Sequence, residues 1–174
     1  RQDGPTPTSS PVAELWDLKT LAATRLVLPE DPAPPGAAPD SVQWSEFSRD
    51  GARIVTATVS GRVQVWTADG AADGEPLEHG AEVTCARFSP DGKFLAVAAG
   101  EKGEAQVKLW ELAFPVSRIL TGHTERIVHL AWSPDGALLA FETDRDGNGD
   151  LYTMPIGGAP SVNVTLHPSS DNNP

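Results

Sequence analysis

The chain is poor in cysteine, methionine and aromatic residues, with one Cys, one Met and 6% Phe, Trp and Tyr among 174 residues. A lone Cys85 excludes an internal disulfide framework and any Cys-x-x-Cys zinc or redox site. Set in an apolar, strand-like run, it reads as a small buried core residue. Positive charge is scarce as well: 13 Lys and Arg stand against 24 Asp and Glu, for a formal net charge of −11. A phosphate backbone or an anionic bilayer must be met by clustered cations, so neither nucleic acid nor a membrane is an expected partner. No apolar run approaches the ~18 residues of a membrane span, and no signal peptide is visible. The chain opens on Arg1-Gln2-Asp3 and stops at Asp171-Asn172-Asn173-Pro174, inside what reads as the entry to another repeat, which predicts a fragment of a longer protein.

Catalytic signatures are missing too. There is no Gly-x-Ser-x-Gly elbow, no phosphate-cradling glycine loop before a helix and no His-Glu-x-x-His pair. His123 and His129 are five residues apart across a loop and a strand, a spacing with no established metal geometry. A non-enzyme is expected. Asn163-Val164-Thr165 is formally a glycosylation sequon, but it falls in a predicted strand.

What the chain does have is a repeat. Phe47-Ser48-Arg49-Asp50-Gly51 recurs 41 residues on as Phe88-Ser89-Pro90-Asp91-Gly92, and 44 further on as Trp132-Ser133-Pro134-Asp135-Gly136. Ser, Pro and Gly at positions i, i+1 and i+3 suit a type I turn. The runs that follow, such as Phe94-Leu95-Ala96-Val97-Ala98-Ala99, are nearly continuous in apolar residues, as strands buried on both faces are. Each unit reads as four strands, closed by Trp66, Trp110 and Tyr152 in turn. The units are predicted over 41–79, 80–121 and 122–166. A flexible lead-in (1–10), a partial unit bearing Trp16 (11–28) and a proline-rich loop (29–40) precede them, and the start of a truncated repeat (167–174) follows. The loop holds five prolines in twelve residues, which cannot supply ladder donors. It reads as a semi-rigid spacer, with a proline-rich ligand as the other reading.

Leu15-Trp16-Asp17, Val65-Trp66-Thr67 and Leu109-Trp110-Glu111, with Gly122-His123 and the recurring Ser-Pro-Asp-Gly turns, resemble the WD-repeat β-propellers over roughly residues 12–166. The third unit, through Ala131-Trp132-Ser133-Pro134-Asp135-Gly136, Leu139-Ala140-Phe141, Asp144-Arg145-Asp146-Gly147 and Leu151-Tyr152, looks more like a TolB-like propeller repeat. Both likenesses imply one all-β fold: a β-propeller segment of four-stranded antiparallel blades, about three complete and others partial, its ring not closed within this chain. The resemblance assigns Trp16, Trp66, Trp110, Tyr152 and His123 to structural roles. It also implies a network joining the Gly-His histidine, an Asp before the third strand and the Trp. Counted from the aromatic residue, that Asp position holds Ser60, Glu104 and Asp146, so an incomplete network is expected. Open blade faces predict marginal stability or self-association. The richness in Ala, Gly, Pro and Asp fits a bacterial repeat protein.

Asp144, Asp146, Asn148 and Asp150 place oxygen-bearing side chains at alternate positions, like the first half of a calcium loop. The position of that loop's bidentate Glu is Pro155, and no helices flank the segment. A plain hairpin turn and a weak calcium site both stay open, and no other cofactor is expected. Connections from second to third and from fourth to first strands share one ring face, gathering the proline-rich loop, His79 to Glu82, and Glu101, Lys102, Glu104, Glu125, Arg126, Arg145 and Asp146. A mostly acidic surface of loops on a rigid ring suits a protein partner or the remaining blades of the same chain. The expected function is a non-enzymatic interaction scaffold. The alternative is a TolB-like or enzyme-linked propeller, accessory to a catalytic domain outside this segment.

Overall fold

In a computed structural model the described residues are 13–28, 40–101, 103–114, 116–120, 123, 125–143 and 149–165. They form strands and no helix, and every sheet is antiparallel with its strands in chain order. A hairpin comes first, of β1 (Ala13–Asp17) and β2 (Ala22–Leu26). The first sheet has β3 (Val42–Phe47), β4 (Arg53–Thr58), β5 (Arg62–Thr67) and β6 (Leu77–Glu78). The second has β7 (Val83–Phe88), β8 (Phe94–Ala99), β9 (Gln106–Glu111) and β10 (Val116–Leu120). The third has β11 (Ile127–Trp132), β12 (Leu138–Thr143), β13 (Asp150–Pro155) and β14 (Val162–Asn163). The proline-rich loop, the lead-in and the last residues lie outside the described residues.

The turns between first and second strands are built identically. Ser48, Ser89 and Ser133 each donate from Oγ to the Asp two residues on, at 2.7, 2.7 and 2.6 Å. Each Ser Oγ also accepts the backbone N–H five residues on, from Arg53, Phe94 and Leu138. Gly51, Gly92 and Gly136 sit at φ of 70°, 69° and 72°, a region open to glycine at no steric cost. The hydrogen bonds from serine and backbone hold the three Asp carboxyls below their usual range. Every first strand also slips by one residue at its second position, between Val42 and Trp44, Val83 and Cys85, and Ile127 and His129. Such a bulge bends the strand and raises its twist at one place per sheet.

The sheets stack through their flat faces, and the core is three layers between successive sheets. Leu26, the last residue of β2, and Leu28 just beyond it meet Ile54 and Trp66 of the first sheet. Val55, Ala57, Val63 and Val65 of the first sheet meet Val83, Ala86, Leu95 and Val97 of the second, with Trp110 packed against them. Ala96, Ala98, Val107 and Leu109 of the second sheet meet Leu139, Phe141, Tyr152 and Met154 of the third. In each case the large third-strand residue faces the preceding sheet. Trp16, on β1, has no preceding sheet among the described residues and is 54% exposed.

Strand register revises the place of Tyr152. Trp66 pairs with Ile54 and Trp110 with Leu95, and in the third sheet the residue opposite the matching Leu139 is Met154. Tyr152 lies two pairs further along, opposite Phe141, and stacks on that ring at 5.7 Å. An aromatic residue at nearly the right spacing stands in for the tryptophan in the sequence, while the ladder gives the position to an apolar thioether.

Trp66 is 2% exposed and its Nε1 donates to Thr56 Oγ1 at 2.9 Å. Trp66→Phe leaves that buried hydroxyl without its donor and is expected to cost about 1–3 kcal/mol. Trp16→Phe is expected to cost less than about 0.5 kcal/mol, as an exposed substitution does. Urea unfolding followed by circular dichroism separates the two. Equal losses would mean that Trp16 is as well packed as Trp66.

Candidate functional site

The innermost strands of adjacent sheets abut, and Arg87 joins all three. Its guanidinium pairs with Glu46 Oε1 of β3 at 2.5 Å, lies 4.8 Å from the ring of Trp44, and donates from Nε to the Leu130 carbonyl of β11 at 3.1 Å. Trp44 and Trp132 each donate an indole N–H to β7, to the carbonyls of Ala86 at 2.8 Å and Arg87 at 3.1 Å. Partial burial pushes the Glu46 carboxyl up, against the pull of Arg87. Beside this network Cys85 is fully buried, and burial pushes its thiol up to about 11. It is protonated and shielded, unsuited to nucleophilic work.

The face of second-to-third and fourth-to-first connections carries the predicted contact residues. Glu101 and Glu104 bracket the tight turn before β9, where the Glu104 N–H donates to the Glu101 carbonyl at 3.0 Å. Gly100 there, at φ 90°, leaves no room for a side chain, since an added Cβ would lie 2.5 Å from the Glu104 oxygen. Arg126 reaches across from the start of β11 to Glu101 at 3.7 Å and Glu82 at 3.9 Å. Glu82 closes the connection from His79, which the sequence places on this face, and blade stacking brings it to Arg126. Glu125 is half-buried next to Arg126. Lys102, Arg145 and Asp146 lie outside the described residues.

On the same face no hydrogen bond among the described residues links histidine, turn and tryptophan within the first sheet. Ser60 donates its N–H and hydroxyl to Asp40, at 3.1 and 2.5 Å. Although burial works to raise the Asp40 carboxyl, the bonds from Ser60 and its neighbours hold it below its usual value. Trp66 uses Thr56, as above. Trp110 has no such hydroxyl, for the residue matching Thr56 in the second sheet is Val97, and its Nε1 meets no acceptor among the described residues. The Val97 carbonyl instead accepts from His79 Nε2 at 3.1 Å, tying the first sheet to the second. Lys108 strengthens the join by donating to the carbonyls of Glu78 and His79, at 3.3 and 3.1 Å. His123 packs edge-on against Phe141, with ring centres 4.7 Å apart.

Of the four residues named for a calcium loop, Asp144, Asp146 and Asn148 lie outside the described residues. Asp150 is buried, and its carboxylate accepts from Asn163 Nδ2 and Thr165 Oγ1, each at 3.0 Å. Asn163 Nδ2 also donates to the Tyr152 hydroxyl at 3.3 Å. The sequon's amide nitrogen is therefore tied into the sheet, a poor acceptor for a glycan. Among the described residues no group of three His, Cys, Asp or Glu side chains is placed to hold a metal.

Comparison with known proteins bears on this geometry directly. The family model described as WD domain, G-beta repeat, matches residues 76–111 and 114–148. The second match runs through Trp132 to Phe141, residues that carried the TolB-like likeness. Human coronin-7 is 31% identical over 136 residues, which is 72% of this chain and 14% of that protein. The COMPASS component SWD3 of Saccharomyces cerevisiae is 34% identical over 103 residues, 52% of this chain and 30% of that protein. Protein HIR1 of Phaeosphaeria nodorum is 31% identical over 134 residues, covering 66% of this chain and 12% of that protein. The chain thus spans under a third of each of these relatives. All three come from eukaryotes, which does not support the bacterial origin that composition suggested. Among solved structures, a chain of the mitotic checkpoint complex superposes with a TM-score of 0.69 at 17% identity, over 89% of this chain and 46% of that one.

Burial first, and the Lys108 ammonium second, lower the His79 imidazole to about 4, from the 6.5 of a solvated histidine. Its Nε2 faces a carbonyl and so carries the proton of the neutral ring. The stability tied to neutral His79 is fully present above pH 6.5 and is lost as pH falls through about 4. Between those limits the protein is expected to lose as much as about 3 kcal/mol more than His79→Gln, which keeps a donor and does not titrate. Urea midpoints at pH 7 and pH 4 measure the difference. Parallel losses in the two proteins would show that His79 is not held neutral.

Proposed function

Since the chain belongs to the WD-repeat family of β-propellers, we propose that it is a non-enzymatic scaffold whose loops on the face of Glu101, Glu104 and Arg126 capture a partner protein. The observation that carries this reading is the construction of that face. Short turns are fixed by glycine and by side-chain hydrogen bonds on stacked sheets, so the charged groups they carry are held in place. Preorganised loops of this kind limit the ordering entropy that association costs. Two of the similar proteins are themselves named as components of complexes, the COMPASS component and the Set1 complex component swd1 of Schizosaccharomyces pombe.

Among the described residues those connections carry Glu82, Glu101, Glu104 and Glu125, with the cation Arg126 and, at the strand ends beside them, Arg62 and Lys108. Arg126 is already shared between Glu82 and Glu101. The surface therefore presents net negative charge, and its complement is a basic or polar patch on the partner. Rim charges act mainly on the rate of encounter, and their effect is screened by salt.

Glu101→Lys combined with Glu104→Lys is expected to reduce affinity capture of the partner from source-cell lysate by about tenfold at low salt, and less at high salt. Circular dichroism should remain unchanged. Undiminished capture by the variant would place the interface on another surface.

A further inference from the structure

Five Asp-Gly pairs lie among the described residues, at Asp50-Gly51, Asp69-Gly70, Asp73-Gly74, Asp91-Gly92 and Asp135-Gly136. Such a pair can rearrange without a catalyst. The glycine nitrogen, with no side chain crowding it, attacks the Asp Cγ. An N–C bond forms, the carboxyl C–OH bond breaks, and one water leaves behind a five-membered succinimide. Water then adds back. When it breaks the bond from that nitrogen to the original main-chain carbonyl carbon, the chain runs through Cβ and Cγ as isoaspartate, and the old carbonyl becomes a free carboxyl. One water is lost and one gained, so nothing beyond solvent is required.

Four of the five pairs are held against this step. Two residues before each Asp stands a hydroxyl, of Ser48, Thr67, Ser89 or Ser133, that donates to the carboxylate. That bond, above all, holds each carboxyl below its usual range, whereas the neutral acid is the form that releases water. The nucleophile is engaged as well. Gly51, Gly70, Gly92 and Gly136 each donate their N–H to the carbonyl of the same Ser or Thr, at 2.9 Å.

Asp73-Gly74 has neither restraint. The residue two before it is Ala71, which offers no hydroxyl. Among the described residues no hydrogen bond reaches the Asp73 carboxylate, and none leaves the Gly74 N–H. Both residues are exposed, and no atom lies within 4 Å of where a Gly74 side chain would begin. The main chain to either side is anchored nonetheless. The Asp73 N–H donates to the Val65 carbonyl at 2.9 Å, and the Gly74 carbonyl accepts from Nε2 of buried Gln64 at 3.1 Å.

We infer that Asp73-Gly74 is a site of isoaspartate formation in the folded chain, the other four pairs being protected by their turns. The added main-chain atom falls between the two anchors, so the Gly74 carbonyl is displaced and the buried Gln64 amide loses an acceptor. The change sits just ahead of β6 and His79, which join the first sheet to the second. The inference does not depend on the scaffold reading.

The test ages the intact chain at physiological temperature and neutral pH, digests it with trypsin, and sequences the peptides by electron-transfer fragmentation, which tells isoaspartate from aspartate at unchanged mass. Cleavage after Arg62 and Arg87 leaves Asp69 and Asp73 in one peptide, where each controls for the other. Isoaspartate is expected at 73 about tenfold faster than at 50, 69, 91 or 135, the effect of one or two hydrogen bonds on a barrier. In urea, where the turns are lost, the rates at 69 and 73 should converge to within about twofold. Ser48→Ala should raise the rate at 50 toward that at 73. If that variant fails to fold, Thr67→Val makes the same comparison at 69. Equal rates at 69 and 73 in the folded chain, a difference that persists in urea, or no rise in the folded variant lacking the hydroxyl would each overturn the site.

Discussion

The second sheet of this protein is apolar on both of its faces, and that single constraint organises the rest. A strand such as Phe94-Leu95-Ala96-Val97-Ala98-Ala99 cannot present one face to water without exposing a continuous apolar surface, so the sheet must be covered twice. Stacking sheet on sheet does this with one design repeated. The second sheet, covered on both sides, holds fully buried residues pointing each way, Leu95 and Val97 toward the first sheet and Ala96 and Ala98 toward the third. Where cover is lacking among the described residues, apolar groups are left in the open: Trp16 at one end, and Leu138, Leu151 and Val162 at the other.

Flat stacking alone leaves sheets free to slide, and polar contacts between the inner strands remove that freedom. Arg87 takes a carboxylate from one neighbour and a carbonyl from the other, while Trp44 and Trp132 donate into the strand that bears it. His79 and Lys108 do the same work further out. These contacts are directional, so they fix the mutual position of the sheets. Both loop faces are thereby held in constant relation, which is what a surface for capturing partners requires.

Much of this was legible from the residues. The turns were, because their stabilising bonds are local: Ser89, Asp91 and Gly92 satisfy one another within a few residues, and the same letters recur wherever the same turn does. The first strands and their neighbours followed from apolar runs between those turns. Two kinds of feature were not legible. Register was one, since Tyr152 and Met154 lie two residues apart on one face and only the pairing of Met154 with Leu139 decides between them. Contacts between sheets were the other. Nothing near Arg87 in the chain announces Glu46 or Leu130, and nothing near Arg126 announces Glu82.

The central claim is that stacked sheets and their inner-strand contacts form one cooperative body. Hydrogen–deuterium exchange of the intact chain, resolved by peptide, tests it most directly. The account predicts that β7, β8, β11 and β12 exchange slowest and at a common rate, with β3 and β4 close behind, and that β1 and β2 exchange first. Protection of β1 and β2 equal to that of β8, or a separate rate for each sheet, would contradict it.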